Sequence, residues 1–372
     1  VSWVNMLKLR FSVGTSGSQH FNAYQAIQTY RYFLDDKYYA WNGSSLIAMG
    51  NPDLKWQQKR DYNIGLDVKL WDNRITIGGD FYIAKTNDLI STLTLPAANG
   101  FTTYIENIGS LKNTGYELRL SAYVLRKDQM SWSVSLAGIH NKNKIVEVSQ
   151  ALLDAQNAIE SEDLVNPNVQ FRPGYSSNTI WTVRSAGIDP GTGKEVFISR
   201  DGNRTYNWSA SDIVATGVSD PKLEGNISSM FRYKGLSLNV SFGYRFGGQI
   251  YNSTLANKVE VSKTAIGWNV DARVFHDRWK NIGDQASFKG LDDFTPTNKT
   301  SRFVQDETTF RCQNMTLQYE LKSQALNKLL GIDYCLFSAS TSDLFYISTV
   351  KRERGTSYPF SRQFSLGVNV VF

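Results

Sequence analysis

Hydrophobic and polar residues alternate over several stretches of the chain, among them 7–13, 64–70, 236–246 and 364–372. Because successive side chains of a β-strand point to opposite faces of a sheet, a period of two predicts strands with one apolar and one polar face. The pattern recurs from one end of the chain to the other. It therefore predicts an all-β protein.

The connections between these stretches are either short turns or long loops. This difference distinguishes a soluble all-β domain from a membrane barrel. Tight turns are predicted at 71–74, 126–129 and 233–235. Soluble domains rarely carry several loops beyond about 15 residues, whereas outer-membrane barrels combine short periplasmic turns with long extracellular loops. We therefore predict that the whole chain, 1–372, belongs to a transmembrane antiparallel β-barrel. The predicted extracellular loops are 15–53, 94–110, 149–176, 252–301 and 345–361.

About twelve strands follow from the alternation. If the last strand ends on the periplasmic side, all the short turns fall on that side and all the long loops fall outside. The hairpin over 177–200 fits least well, because its arms are short and its turn, 187–193, is loose. The predicted strands are 5–14, 54–71, 73–93, 111–126, 130–148, 177–188, 195–200, 222–234, 235–251, 302–322, 330–345 and 361–372.

Composition excludes several other classes of protein. Aromatic residues make up 13% of the 372 residues, which argues against disorder. No run of 18 apolar residues occurs, which argues against membrane-spanning helices. The formal net charge of +6 comes from scattered residues, so we expect no nucleic-acid partner. Two cysteines, Cys312 and Cys335, are too few for a disulfide scaffold; either one bridge or two free thiols would fit.

Candidate catalytic and metal-binding patterns are weak. His20, His140 and His276 lie far apart and lack companions at metal-ligand spacing. The glycine run 191–194 has neither the spacing nor the Ser or Thr of a phosphate-binding loop. We therefore expect no metal, no cofactor and no enzymatic activity. The chain starts at Val1 in a strand-like stretch without a signal peptide, which suggests a mature or cut product entered partway through a fold.

Short motifs occur at 51–56, 63–67, 82–90, 95–96, 107–118, 141–145, 186–193, 277–281 and 358–362. Together they resemble the SusC/RagA family of TonB-dependent outer-membrane transporters of Bacteroidota. The motifs occur in the family's order and cover nearly the whole chain. The sequence departs from the family at 342–345 and at the basic stretch 351–354, which weakens any expectation about the last extracellular loop.

The resemblance implies the C-terminal part of a roughly 22-stranded barrel with a plugged lumen. Half a barrel would leave unpaired strand edges in lipid, so a further chain carrying the plug and the remaining strands is expected. The resemblance also implies TonB acting through the plug, a SusD-like surface lipoprotein as a lid, and import of oligosaccharides or oligopeptides through the outer membrane. The alternative is a barrel that serves as a scaffold in a larger surface assembly, without transport.

Aromatic residues in the long loops are the candidate contacts to substrate or lid, because aromatic rings stack on sugars and on peptide side chains. The alternative for each ring is packing between loops or a place in an interfacial aromatic belt. The terminal Phe372, after an alternating strand, resembles the signal read by the outer-membrane assembly machinery; it could also simply end a strand in an aromatic girdle. The candidate contact residues are Tyr38, Tyr39, Trp41, Trp268 and Trp279.

Overall fold

The computed structural model describes residues 3–19, 26–94, 100–101, 103–159, 169–260, 271–293, 295–351 and 362–372. Its strands are, in the first part of the chain, β1 (Val4–Ser18), β2 (Thr29–Tyr38), β3 (Trp41–Ala48), β4 (Gln57–Leu70), β5 (Ile75–Thr94), β6 (Thr103–Lys127) and β7 (Met130–Val148). The later strands are β8 (Thr179–Ile188), β9 (Glu195–Ile198), β10 (Arg204–Thr205), β11 (Ile213–Val218), β12 (Leu223–Tyr233), β13 (Leu236–Tyr251), β14 (Val304–Leu321), β15 (Tyr334–Ser342), β16 (Tyr346–Ser348) and β17 (Phe364–Val371). Two helices, α1 (Gln150–Ile159) and α2 (Gln324–Leu330), lie in connections.

Ten strands form one long antiparallel sheet, which we call the wall. Their order is β1-β4-β5-β6-β7-β12-β13-β14-β15-β17, and the short β16 pairs with β14 beyond the end of β15. Nearly every neighbour in the wall is also the next wall strand along the chain, as in an up-and-down barrel. The predicted all-β class is confirmed.

The hairpin predicted over 177–200 is not part of the wall, so the described wall has ten strands in place of about twelve. Strand β7 pairs directly with β12, and strands β8 and β9 belong to a separate four-stranded sheet with the order β10-β9-β8-β11. The reason is the burial of β8, whose residues Thr179–Val183 are buried on both faces of the strand. A wall strand needs one face turned outward. Because neighbouring strands of the wall run in opposite directions, taking the two strands of this hairpin out of the predicted wall leaves the direction of every other strand unchanged.

One predicted loop is mostly strand. The segment 94–110 was expected to be a loop, but β6 already begins at Thr103 and runs for 25 residues beside the 20 residues of β5. A membrane-spanning strand needs only about 9–11 residues. These two strands therefore extend well beyond that length at the end of the wall that carries the long connections.

The two faces of the wall differ in chemistry. In β1, Leu9 and Phe11 are 75% and 70% exposed, and in β17 Leu366 is 87% exposed. The register places apolar side chains of neighbouring strands opposite one another on this outer face, as in Leu9 with Leu66 and Ile64 with Phe81. Such an extended exposed apolar surface requires an apolar environment. In the described part of the chain, no helix is long and apolar enough to cross a membrane, a test that applies to helices alone.

The two ends of the wall are open strand edges. Within the described residues, β1 pairs only with β4, and β17 pairs only with β15. Among the described residues, β1 and β17 do not pair with each other, and the expected pairing of each with a strand of a further chain stays a prediction. Each therefore has one row of backbone N–H and C=O groups that pair with no described strand.

A compact unit folds within the connections on the long-loop side, and we call it the loop module: residues 169–222, 252–260, 271–293 and 295–303. Its small sheet encloses a hydrophobic core of Trp181, Val183, Phe197 and Ile213, against which Trp208 and Ala210 pack. The connection 252–303 joins it through backbone hydrogen bonds, such as Val183 N–H to the Lys299 carbonyl at 3.2 Å. Two long connections thus fold together into one module.

Candidate functional site

The inner face of the wall carries a network of charged side chains near β1. The Arg10 guanidinium donates to Asp67 Oδ2 at 2.8 Å and to Asp80 Oδ2 at 3.1 Å. Arg10 lies on β1 and Asp80 on β5, two strands away. Between them on β4 stands Gly65, where an added methyl group would lie 2.7 Å from Arg10 Cζ. The glycine therefore leaves room for the arginine to reach across its neighbour.

The same arrangement recurs farther along the inner face. Tyr82 on β5 reaches over Gly115 on β6, and its hydroxyl lies 3.1 Å from Asn141 Oδ1 on β7. A methyl group at Gly115 would lie 2.5 Å from that hydroxyl. The amide of Asn141 donates in turn to Asn113 Oδ1 at 3.2 Å. Long polar side chains thus tie non-adjacent strands together on the inner face.

These side chains line two concave polar basins. The first has a volume of about 690 Å³ and includes the Arg10 network, Tyr82 and Asn141. The second, of about 610 Å³, contains the Arg245–Glu307 ion pair at 3.4 Å, together with Arg311. Both basins offer charged groups, amides and hydroxyls to polar solutes. The sequence analysis missed them; the signal was the polar row of each strand, interrupted by glycine at 65 and 115.

A buried ion cluster holds the loop module together. Arg302, just before β14, donates to Glu195 Oε2 on β9 at 2.9 Å and pairs with Glu260. Burial opposes the charge of Arg302, but the two carboxylates outweigh that effect and raise its pKa above the usual range. The side-chain exposures are only 10%, 4% and 1% for Arg302, Glu195 and Glu260.

Arg278 adds a second buried cation beside this cluster. It donates to the carbonyl of Lys289 at 2.8 Å and to the carbonyls of Val259 and Val274. Burial lowers its pKa, since desolvation disfavours the charged form. Backbone carbonyls from separate segments of the module therefore converge on one guanidinium.

The predicted contact residues occupy different places. Tyr39 and Trp41 lie at the tip of the β2–β3 hairpin and are 87% and 78% exposed, and Tyr38 pairs with Trp41 in the backbone register. Trp279 lies in the loop module, where its indole N–H donates to the Pro190 carbonyl at 2.9 Å. Trp268 falls outside the described residues.

The Trp279 ring packs against a turn of the loop module. An added methyl group at Gly193 would lie 2.5 Å from Trp279 Cε3, so the ring packs directly against this turn. The turn is held by Asp189, which accepts hydrogen bonds from Gly191 N–H at 3.0 Å and from the Tyr206 hydroxyl at 2.6 Å. Contact of any of these rings with substrate or lid stays a prediction.

The other predicted residues can be located as well. Phe372 follows directly after β17 and is 79% exposed; its role in assembly stays a prediction. Cys312 and Cys335 are both free, so of the two alternatives the structure has free thiols. In the part of the chain that is described, no group of three or more His, Cys, Asp or Glu side chains could hold a metal ion.

A family model described as TonB dependent receptor-like, beta-barrel, matches residues 1–256. The chain belongs to this family. Among curated relatives, TonB-dependent receptor P39 of Formosa agariphila is 23% identical, over 100% of this chain and 41% of the relative. TonB-dependent receptor SusC of Bacteroides thetaiotaomicron is 26% identical, over 100% of this chain and 38% of SusC. The resemblance to SusC and RagA found in the sequence is thereby confirmed.

Solved structures support the fold of this TonB-dependent receptor barrel. A structure of the RagAB peptide transporter superposes with a TM-score of 0.80 at 24% identity, covering 99% of this chain and 41% of that one. The RagAB peptide importer in its 'open-open' state gives a TM-score of 0.77. The chain thus spans about two fifths of the length of the relatives that it matches.

Proposed function

We propose that this chain forms part of the wall of an outer-membrane transporter that imports oligosaccharides or oligopeptides. The observation that carries the proposal is that the two faces of the wall are reversed relative to a water-soluble protein. The outer face is apolar and exposed, as at Leu9 and Leu366, while the inner face is polar and forms two basins. An apolar outer face suits contact with lipid, and a polar inner face suits a water-filled lumen.

In this proposal the rest of the receptor supplies the plug and the remaining strands, which pair with β1 and β17. TonB acts on the plug from the periplasm, and a SusD-like lipoprotein covers the long loops from outside. The relatives named SusC and RagAB support this arrangement. The described residues of this chain contribute the polar conduit, the hairpin with Tyr39 and Trp41, and the loop module.

Orientation can be tested by cysteine labelling in intact cells. In the complete receptor without Cys312 and Cys335, single cysteines are placed at Asn42 and Asn257 on the long-loop side and at Asp72 in a short turn. A membrane-impermeant maleimide should label the first two and leave the third unlabelled. Labelling of all three would contradict the proposed orientation.

Transport can be tested with two neighbouring substitutions that point to opposite faces. Asn113 lines the first basin, and Thr114 lies on the outer face in the same strand. Asn113→Trp should reduce uptake of labelled oligosaccharide or oligopeptide, whereas Thr114→Trp should leave it unchanged. If the assembled wild-type receptor takes up neither nutrient, the transport proposal fails and the scaffold role is favoured.

A further inference from the structure

Four basic side chains lie in one line across the outer face of the wall. The register pairs Arg60 on β4 with Lys85 on β5, Lys85 with Lys112 on β6, and Lys112 with Lys144 on β7. All four lie on the apolar outer face, because they are an even number of positions from Ile64, Phe81, Tyr116 and Leu136 along their strands. We call this line the basic row.

The basic row has no counter-charge in direct register. All four side chains are exposed, and among the described residues none forms a hydrogen bond or an ion pair. Asp61 is adjacent to Arg60 in the ladder, but it lies on the opposite face and pairs with Lys59 at 2.9 Å. Farther along, Glu147 lies opposite Ser110, whose hydroxyl is 3.4 Å from Glu147 Oε2. Like charges directly opposite each other destabilise a sheet. An anion bound across the strands would remove that repulsion.

The second outer-face row from the basic row, toward the short turns, is apolar and aromatic. The register aligns Phe11, Ile64, Phe81 and Tyr116, with His140 at the end of that line. Between the two lies a mixed row of Val13, Tyr62, Ile83, Thr114 and a further basic residue, Lys142. Aromatic side chains followed by cations are typical of the boundary between hydrocarbon and headgroups.

The height of the basic row fits this boundary. Arg60 lies ten residues along β4 from Leu70, which ends the strand at a short turn. At ~3.3 Å per residue this is about 33 Å along the strand, and a tilt of about 40° reduces it to about 25 Å of height. The apolar band of an outer-membrane barrel is also about 25 Å tall.

We propose that the basic row binds the phosphate groups of lipopolysaccharide in the outer leaflet. Lysine and arginine bind phosphate through charge-assisted hydrogen bonds, and cations spaced by one strand could share its oxygens. The row faces away from the lumen, beside the apolar belt, so its ligand is a membrane lipid and not a transported solute. The inference rests on the proposed orientation, which puts this end of the wall outside.

The test measures glycolipid retained by the complete receptor. One variant combines Arg60→Gln, Lys85→Gln, Lys112→Gln and Lys144→Gln. The control variant removes the same charge elsewhere through Lys8→Gln, Lys69→Gln, Arg232→Gln and Lys234→Gln. Each receptor is purified in mild detergent, and co-purified lipopolysaccharide is quantified by native mass spectrometry.

We expect the row variant to retain at least about tenfold less lipopolysaccharide than wild type, and the control to retain the wild-type amount. In a second arm, delipidated receptor should gain thermal stability from lipopolysaccharide but not from its dephosphorylated form or from phosphatidylglycerol micelles. Equal retention by the row variant, an equal loss in the control, or equal stabilisation by the dephosphorylated lipid would overturn the proposal. So would equal stabilisation by phosphatidylglycerol, which would remove the assignment to lipopolysaccharide.

These outcomes are independent of transport. The row variant should still import nutrient as wild type does, because its side chains do not line the basins. A receptor that retains glycolipid through the row but imports nothing would contradict only the proposed transport. A receptor that imports normally without row-dependent retention would contradict only the lipid site.

Discussion

The wall and the loop module use apolar side chains in opposite ways. In the module, Val183 is fully buried and Trp181 is 6% exposed, as in the core of a water-soluble domain. In the wall, Leu9 and Leu366 are 75% and 87% exposed. Water drives the module to close around its apolar residues, whereas the exposed apolar face of the wall depends on an apolar environment.

The difference extends to charges. The Arg302 side chain in the module is 10% exposed and faces two buried carboxylates, whereas Arg10 on the inner face of the wall is 36% exposed. Solvent screens the second network and not the first. The module should therefore depend strongly on each of its charges, and the wall should tolerate changes on its polar face while rejecting them on its apolar face.

The largest effect is expected for Arg302→Met. This change leaves Glu195 and Glu260 buried without their cation, which typically costs about 3–5 kcal/mol. Limited proteolysis of the assembled variant receptor should cut within the loop module. The barrel itself should stay intact, which is measured by its heat-modifiable migration on gels. The matched change Arg10→Met in the wall should leave the module resistant. Resistance in both variants would show that the ion cluster does not hold the module.

A smaller effect is expected for Val240→Arg in the wall. Val240 shares the outer face with Leu238 and Phe242 and lies roughly 10 Å above the short turn, given ~3.3 Å per residue and strand tilt. Arginine at mid-membrane depth on the lipid face costs about 2–4 kcal/mol, measured by reversible unfolding in lipid vesicles. Asn239→Arg on the opposite face should cost little. Equal costs at both positions would mean that the assignment of inner and outer faces is wrong.

The smallest effect is expected for Gly193→Ala, which tests the contact between the two connections of the module. Gly193 has φ of +70°, and a methyl group there would lie 2.5 Å from Trp279 Cε3. A left-handed backbone with a side chain costs about 1–3 kcal/mol, seen as faster proteolysis near 190. Gly187→Ala is the control, because Gly187 also has a positive φ, +95°, and an added methyl group there would meet nothing within 4 Å. Similar rates in the two variants would argue against the contact with Trp279.

The sequence by itself determined the class of the fold and the two faces of the wall. Alternation in 236–246 assigned Leu238 and Asn239 to opposite faces before any strand was paired, since the period of a strand is fixed by backbone geometry. The turn at 71–74 and the tail at 364–372 were equally readable, because each depends on residues adjacent in the chain.

Only the tertiary structure decided which strands are neighbours and which distant residues meet. The sequence placed 177–188 in the wall, because a short apolar strand looks the same whether its second face meets lipid or a protein core. Arg302 and Glu195 are 107 residues apart, and the members of the basic row come from four different strands. Such contacts depend on register and on loop packing, which arise from many weak long-range interactions and leave no local pattern in the chain.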